Sequence, residues 1–404
     1  MTTAPTTGPI VARTVEVDDP GPLLSALPGP AAHAWVTGGE GIVGWGEAAR
    51  FETAGPDRFD TAARWWSEVA ADAKVLDEVG LPGTGLVAFS SFAFSDGPST
   101  SRLVVPAVVV GSRDGRFWRT TVDGVDGDVA PVPVSAPQTV AWGDGATTPE
   151  DWRAAIGWVR NAIATGDLDK VVLALDQVAT ADAPVDARWL LQGLAERYPS
   201  CWAFAVDGLV GATPELLVRR SGELAESRVL AGTVRANGDE GDRALLDSEK
   251  DQLEHRYAVD SLVAGFAAHC KNVRAGDPYL LRLANVVHLA TDVRARVADD
   301  ASLLELAGAL HPTAAVGGTP TRAAMRAIGK LERSDRGRYA GPVGWVDSTG
   351  DGELGLALRC AQLDGRTARL WAGCGIVGDS DPEAEAAEAR AKFEPVRAAL
   401  TRAL

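Results

Sequence analysis

What most constrains this chain is the order of its periodic segments: short strand-like apolar runs, with helices falling among them without strict alternation. In the first 150 residues or so the runs stand at 32–38 (AHAWVTG), 86–94 (LVAFSSFAF), 102–111 (RLVVPAVVVG) and 116–122 (RFWRTTV), with Gly and Pro between them. They predict a mostly antiparallel sheet with turns. The run around Pro106 is read as one strand. Residues 124–150, rich in Pro and Gly, read as a connection. Thr148 then opens a helix as N-cap, with Pro149 in its first turn and Gly166 closing it. Further strands follow at 170–176, 201–208, 341–348 and 368–375, and helices at 244–270, 302–311 and from 382 onward. This irregular order predicts an α+β fold rather than a doubly wound sheet.

The 404 residues allow two to three domains or one large one. The formal charge of −16 argues against bulk nucleic-acid or anionic-membrane binding. An anionic substrate would then need concentrated local positive charge or a metal. Cys201, Cys270, Cys360 and Cys374 form no CxxC pair and read as reduced thiols of a cytoplasmic protein. The N-terminus lacks the basic and apolar regions of a signal peptide, and residues before about Val11 are expected to be disordered. No apolar stretch reaches the length of a membrane span.

Only six of the 39 basic residues are lysines: Lys74, Lys170, Lys250, Lys271, Lys330 and Lys392. In such a chain a lysine inside a motif invites a chemical reason, because it can lose its proton where arginine cannot. Lys170 starts the apolar run KVVLALD, either as a solvent-reaching strand end or as a desolvated general base. Glu215 follows a Gly-Ala-Thr-Pro turn and precedes Leu216, Leu217 and Val218, so it is a turn carboxylate or an acid of raised pKa.

Two stretches match GxGxxG. Gly39 to Gly44 is followed by a poor helix and reads as a turn between strands. Gly373 to Gly378 stands between a strand and a helix, a geometry that aims backbone N–H groups at an anion. The acids that follow would repel a phosphate. Asp379 to Glu383 complement the helix dipole, but Glu385, Glu388 and Lys392 share one helix face. Asp251 and Glu254 form a second i, i+3 acidic pair. Four carboxylates from two helices are either solvated faces or a hard oxygen site suited to Mg²⁺.

Taken together the motifs resemble the chorismate-utilising enzymes: isochorismate, salicylate, anthranilate and aminodeoxychorismate synthases. The pieces stand in family order from about Trp152 to Leu404: LDKVVLAL, GATPELLV, LAGTVR, SEKDQLEH, ANVVHLATDV, LHPTAAVGGTP, RYAGPVGWVD, LALRCAQL and WAGCGIVGDSDPEAEAAEARAKFEPV. The resemblance implies an α+β sandwich of two large antiparallel sheets with helices packed outside. Residues 1–147 would form its less family-like N-terminal part, with GWGEAARF as the best piece. Residues 148–404 would form the chorismate-binding catalytic part of one continuous unit.

By the same resemblance, Lys170 is the base that activates water and Glu215 the acid that protonates the departing hydroxyl. Glu254 and Glu388 are direct Mg²⁺ ligands, with Asp251 and Glu385 as outer acids holding metal-bound water. Tyr339, Arg359, Gly373, Gly375 and Lys392 hold the substrate carboxylates. Gly232 and Thr233 form a turn beside the ring, and His288 lies near the ring carboxylate. Ammonia-using relatives typically carry glutamine where Lys170 stands, so the resemblance points to water as nucleophile and to no glutaminase subunit. The stretch His311 to Gly318 looks more like the isochorismate synthases than the salicylate synthases. Leu175, where relatives often have arginine, departs from the pattern. The implied activity is an Mg²⁺-dependent isochorismate synthase, a cytoplasmic isomerase and monomer serving menaquinone or siderophore biosynthesis. The alternatives are a salicylate synthase, which also releases pyruvate, and a catalytically silent chorismate- or anion-binding protein.

Overall fold

A computed structural model describes residues 9–402 apart from 126, 128, 236–238 and 285. The segment expected to be disordered, before about Val11, lies almost wholly outside the described residues. Two mostly antiparallel sheets, of thirteen and ten strands among the described residues, carry the α+β architecture. The helices are α1 (Arg58–Asp72), α2 (Pro149–Ala164), α3 (Ala187–Arg197), α4 (Asp239–Asp247), α5 (Glu249–Phe266), α6 (Leu303–Leu310), α7 (Thr321–Leu331) and α8 (Pro382–Leu400). None is long and apolar enough to cross a membrane.

Early and late strands mix in both sheets. In the larger sheet Ala32–Thr37 pairs with Trp202–Val206. In the smaller sheet Val87–Ser91 pairs with Pro342–Asp347. Among the described residues one pairing is parallel, Val11–Glu16 with Lys74–Asp77. The run around Pro106 is not one strand. Ser101–Val105 belongs to the smaller sheet and Val108–Arg113 to the larger, so the chain changes sheets at the proline. Proline lacks the N–H a ladder needs, and the break falls there. The Gly39 motif is a hairpin: Gly38 and Gly39, both at positive φ, turn the chain between Ala32–Thr37 and Glu40–Trp45.

Helix starts follow the capping signals. Thr148 accepts from the Asp151 N–H, with Pro149 at the first helical position. Ser302 and Glu305 form a capping box at α6. The helix expected over 244–270 is two helices, α4 and α5, broken at Ser248. Ser248 has extended backbone and its side chain accepts from the Asp251 N–H, so a second N-terminus is capped inside the span. α5 packs against Leu224–Arg235 of the smaller sheet, and α8 against Thr367–Ile376 of the larger. The two acid-bearing helices therefore come from opposite sheets.

Candidate active site

A cleft between the sheets encloses about 590 Å³ of atom-free space, its mouth included. Ten of the fourteen expected site residues line it: Glu215, Gly232, Thr233, Glu254, His288, Tyr339, Arg359, Gly373, Gly375 and Lys392. Lys170 lies just behind this wall. A Cβ placed on Gly375 would come within 2.9 Å of Lys170 Cε and 2.0 Å of Glu254 Oε1. Asp251, Glu385 and Glu388 stand behind the lining too. Asp251 touches Gly232, where an added Cβ would meet its own Cβ at 3.1 Å.

Two expectations about the glycines are corrected. Gly373 and Gly375 do not form a turn that cradles an anion; they lie inside the strand Thr367–Ile376, opposite Ala174 and Val172 of Lys170–Ala181. Alternation along a strand sends their missing side chains to the cleft face, so they supply room. Gly232 is not a turn either. It is a bulge within Leu224–Arg235, at φ +78, where the register with Val286–Val297 shifts. Glycine takes that φ without strain, and the bulge carries the strand past α5.

Lys170 is fully buried, and its Nζ lies 3.1 Å from Glu254 Oε1. The ammonium finds no aligned hydrogen-bond acceptor among the described residues. Burial pushes the Glu215 carboxyl up to about 8, against the opposing pull of the Leu230 N–H, Lys170, Arg359 and Lys392. A carboxyl at that value is still a proton donor at neutral pH. His288 Nδ1 bonds Thr233 Oγ1 at 2.9 Å, while its Nε2 has no partner among the described residues. Burial and the nearby Arg359 and Lys392 cations hold the His288 ring well below its ordinary value, hence neutral. Tyr339 stacks on Trp371 at 5.9 Å, and burial raises its hydroxyl to about 12. Arg359 stands at φ +46, a conformation that costs a non-glycine residue energy. No ion pair holds its guanidinium among the described residues.

The carboxylates of α5 and α8 converge. Burial raises the Asp251 carboxyl, and the neighbouring Glu254 and Glu388 add to the rise. Burial and Glu388 raise Glu385, which is 1% exposed. Burial also pushes Glu254 up, but the Lys170, Lys392 and Lys250 ammonium groups outweigh it and hold Glu254 below its usual range. Crowded carboxylates that resist ionisation are short of positive charge, and hard oxygen donors are what Mg²⁺ takes. The residues present fit the ion.

The comparisons with known proteins agree with this geometry. The family model described as chorismate binding enzyme matches residues 130–401. The chain belongs to this family. It is 38% identical over 261 residues to the isochorismate synthase MenF of Bacillus subtilis, a match covering 62% of the chain and 55% of that protein. It is 39% identical over 279 residues to the salicylate biosynthesis isochorismate synthase of Pseudomonas aeruginosa, covering 66% and 58%. The matches thus span a little over half the length of these relatives. The structure of MenF, the menaquinone-specific isochorismate synthase of Escherichia coli, superposes with a TM-score of 0.80 over 99% of this chain and 96% of that one. At 24% identity it shows the shared fold.

Several residues of this candidate site escaped the sequence. Lys250 bonds Glu385 Oε1 at 2.6 Å. Its signal was its rarity and its place next to Asp251. Cys374 Sγ, Glu385 and Glu388 offer ligand atoms within 4.8 Å of one another. The thiol donates to the Glu385 carbonyl at 3.4 Å, and burial raises it well above its usual value, so it stays protonated. Arg336 lines the cleft but is tied to Glu332 and to the Val172 and Val316 carbonyls. Leu175 packs against the apolar core rather than in an ion pair.

Proposed function

We propose that the protein is an isochorismate synthase. Lys170 takes a proton from water, which attacks C2 of chorismate. The ring double bonds shift, the C4–oxygen bond breaks, and Glu215 gives its proton to the departing hydroxyl. Each group ends in the opposite protonation state and resets by exchange with solvent. Mg²⁺, held by Glu254 and Glu388 with Asp251 and Glu385 behind them, supplies positive charge for the ring carboxylate. Arg359, Lys392 and the Tyr339 hydroxyl are placed to bind carboxylates, and neutral His288 presents its free Nε2 to the ring side of the cleft. Gly373 and Gly375 keep the wall beside Lys170 open.

The observation that carries this reading is the pair at one cleft: a lining carboxyl that keeps its proton to about pH 8 and a fully buried lysine just behind the wall. That the relatives are named isochorismate synthases supports it. The test is product analysis with chorismate and Mg²⁺, with an EDTA control. Isochorismate without stoichiometric pyruvate, lost in EDTA, is the expected result. Salicylate with pyruvate would move the protein to the salicylate synthases. Binding without turnover would make it a silent chorismate-binding protein.

A further inference from the structure

Three of the six lysines sit on three carboxylates of one cluster. Lys170 is 3.1 Å from Glu254, Lys250 is 2.6 Å from Glu385, and Lys392 is 2.5 Å from Glu388. Asp251 alone of the four acids has no lysine at ion-pair distance among the described residues. Lys170 has a chemical role in the proposed reaction, and Lys392 lines the cleft. Lys250 does neither. It lines a separate groove, beside residues 377–379. One end of its side chain reaches solvent there, at 28% exposure, while Glu385 is 2% exposed by side chain. Three further acids, Asp169, Glu249 and Asp379, line that groove. None of their carboxylates has an ion pair among the described residues.

We propose that Lys250 is a displaceable counter-cation: it holds Glu385 when no divalent ion is bound and swings into the acidic groove when the ion arrives. This rests on the reading that the cluster binds Mg²⁺. With Lys170 neutral, as a base that takes a proton from water must be, four carboxylates and two ammonium groups leave the cluster with two net negative charges. Moving the Lys250 ammonium out leaves three, and the vacated Glu385 oxygens face the ion. The groove receives the lysine among unpaired acids, so its charge stays compensated. The residue type agrees. In a chain that otherwise uses arginine, a cation that must let go is a lysine, a hydrated point charge on a flexible stem. A guanidinium would grip Glu385 through two parallel hydrogen bonds and resist displacement.

The two functions of Lys250 pull in opposite directions, and that decides the test. Wild type, Lys250→Met and Lys250→Arg are titrated with Mg²⁺ by calorimetry and melted in EDTA and in saturating Mg²⁺. Lys250→Met is expected to bind Mg²⁺ roughly tenfold more tightly, the scale of one unit charge near a divalent ion at a part-exposed site. It should melt lower than wild type in EDTA and gain more from Mg²⁺. Lys250→Arg should bind Mg²⁺ several-fold more weakly and melt at or above wild type in EDTA. It keeps the ion pair and so the fold, and it decides the matter if Lys250→Met cannot be isolated without metal. A merely structural ion pair predicts otherwise: Lys250→Met binding no tighter than wild type and Lys250→Arg binding equally well. Either result overturns the proposal. If wild type itself binds no Mg²⁺, the metal reading fails first and this inference with it.

Discussion

The cleft of the candidate site encloses about 590 Å³, and a second cleft, lined by Asp77, Arg113, Arg219, Arg220, Asp351 and Glu353 among others, encloses about 970 Å³. In the larger one the carboxylates are answered within the protein. Glu353 takes Trp35 Nε1 at 2.9 Å and Arg219 Nε at 3.1 Å, with Arg113 at 3.5 Å. Asp351 pairs with Arg220 and accepts the Gly222 N–H. Asp77 accepts from Thr84 and from the Val79 and Gly80 N–H groups. In the smaller cleft polar atoms are left open, His288 Nε2 and the Arg359 guanidinium, and behind its wall Lys170 Nζ has Glu254 at 3.1 Å without an aligned hydrogen bond. Buried polar groups normally find partners, so a wall of unpartnered ones is built for a ligand. What separates chemistry from scaffold here is unmet bonding, and size points the other way.

The largest expected effects fall on the smaller cleft. Lys170→Ala and Glu215→Gln should each lower kcat for chorismate turnover by roughly a thousandfold, the scale of losing a general base or acid. Their far-ultraviolet circular dichroism should match wild type. Near wild-type turnover in either variant would remove that residue from the mechanism and blur the contrast between the clefts.

The larger cleft should respond in the opposite sense. Glu353→Ala leaves the Trp35 indole and the Arg113 guanidinium without their acceptor, and Arg219 with Glu226 alone at 3.7 Å, which costs about 3 kcal/mol of unfolding free energy. Its kcat/KM should stay within about twofold of wild type, since the missing contacts tie strands together and do not face the proposed substrate. Denaturant melts and steady-state rates on the same preparation measure both. A large kcat/KM loss at unchanged stability would make the second cleft part of the site.

A finer cut comes from the cleft wall. Gly375→Ala drives a methyl into Glu254 Oε1, 2.0 Å away, and against Lys170 Cε. A misplacement of that size costs on the order of a hundredfold in kcat. At Gly373 the nearest atom is the Leu173 carbonyl at 3.1 Å, so Gly373→Ala should lose only a few-fold. The order of the two variants, read from rates at saturating chorismate, checks the strand geometry.

That geometry shows how far the sequence carried. The spacing Asp251–Glu254 and Glu385–Glu388 already placed each acidic pair on one helix face, and short runs without strict alternation gave the α+β class. The two glycine motifs look alike on paper and diverge in space. Gly38 and Gly39 turn a hairpin between adjacent strands, a local matter. Gly373 and Gly375 act through the register of Thr367–Ile376 with Lys170–Ala181, which sets them beside Lys170 from about two hundred residues away. Periodicity reports which face of an element is apolar and is silent on which element faces it. The Lys250–Glu385 pair, the sheet change at Pro106 and the paired carboxylates of the second cleft all depend on such pairings. The capped break at Ser248 was local: six consecutive polar residues, Asp247 to Gln252, stand across it.

Glu215 ties stability to the proposed chemistry, and pH separates the two. Its carboxyl titrates near 4.5 in the unfolded chain and about 8 in the folded one. Between those values the folded protein binds the extra proton, so its stability falls as pH rises and levels off above about 8. A buried acid held this way is a standing cost that a neutral isostere escapes. Glu215→Gln should therefore melt with wild type near pH 4.5 and above it at pH 8, by an amount on the order of 4 kcal/mol. Wild-type kcat/KM should fall over the same upper limb, as Glu215 loses the proton it must donate. If the stability gap is flat with pH while the rate still falls, another group is the acid, and the polar atoms of the smaller cleft would have to be reassigned around it.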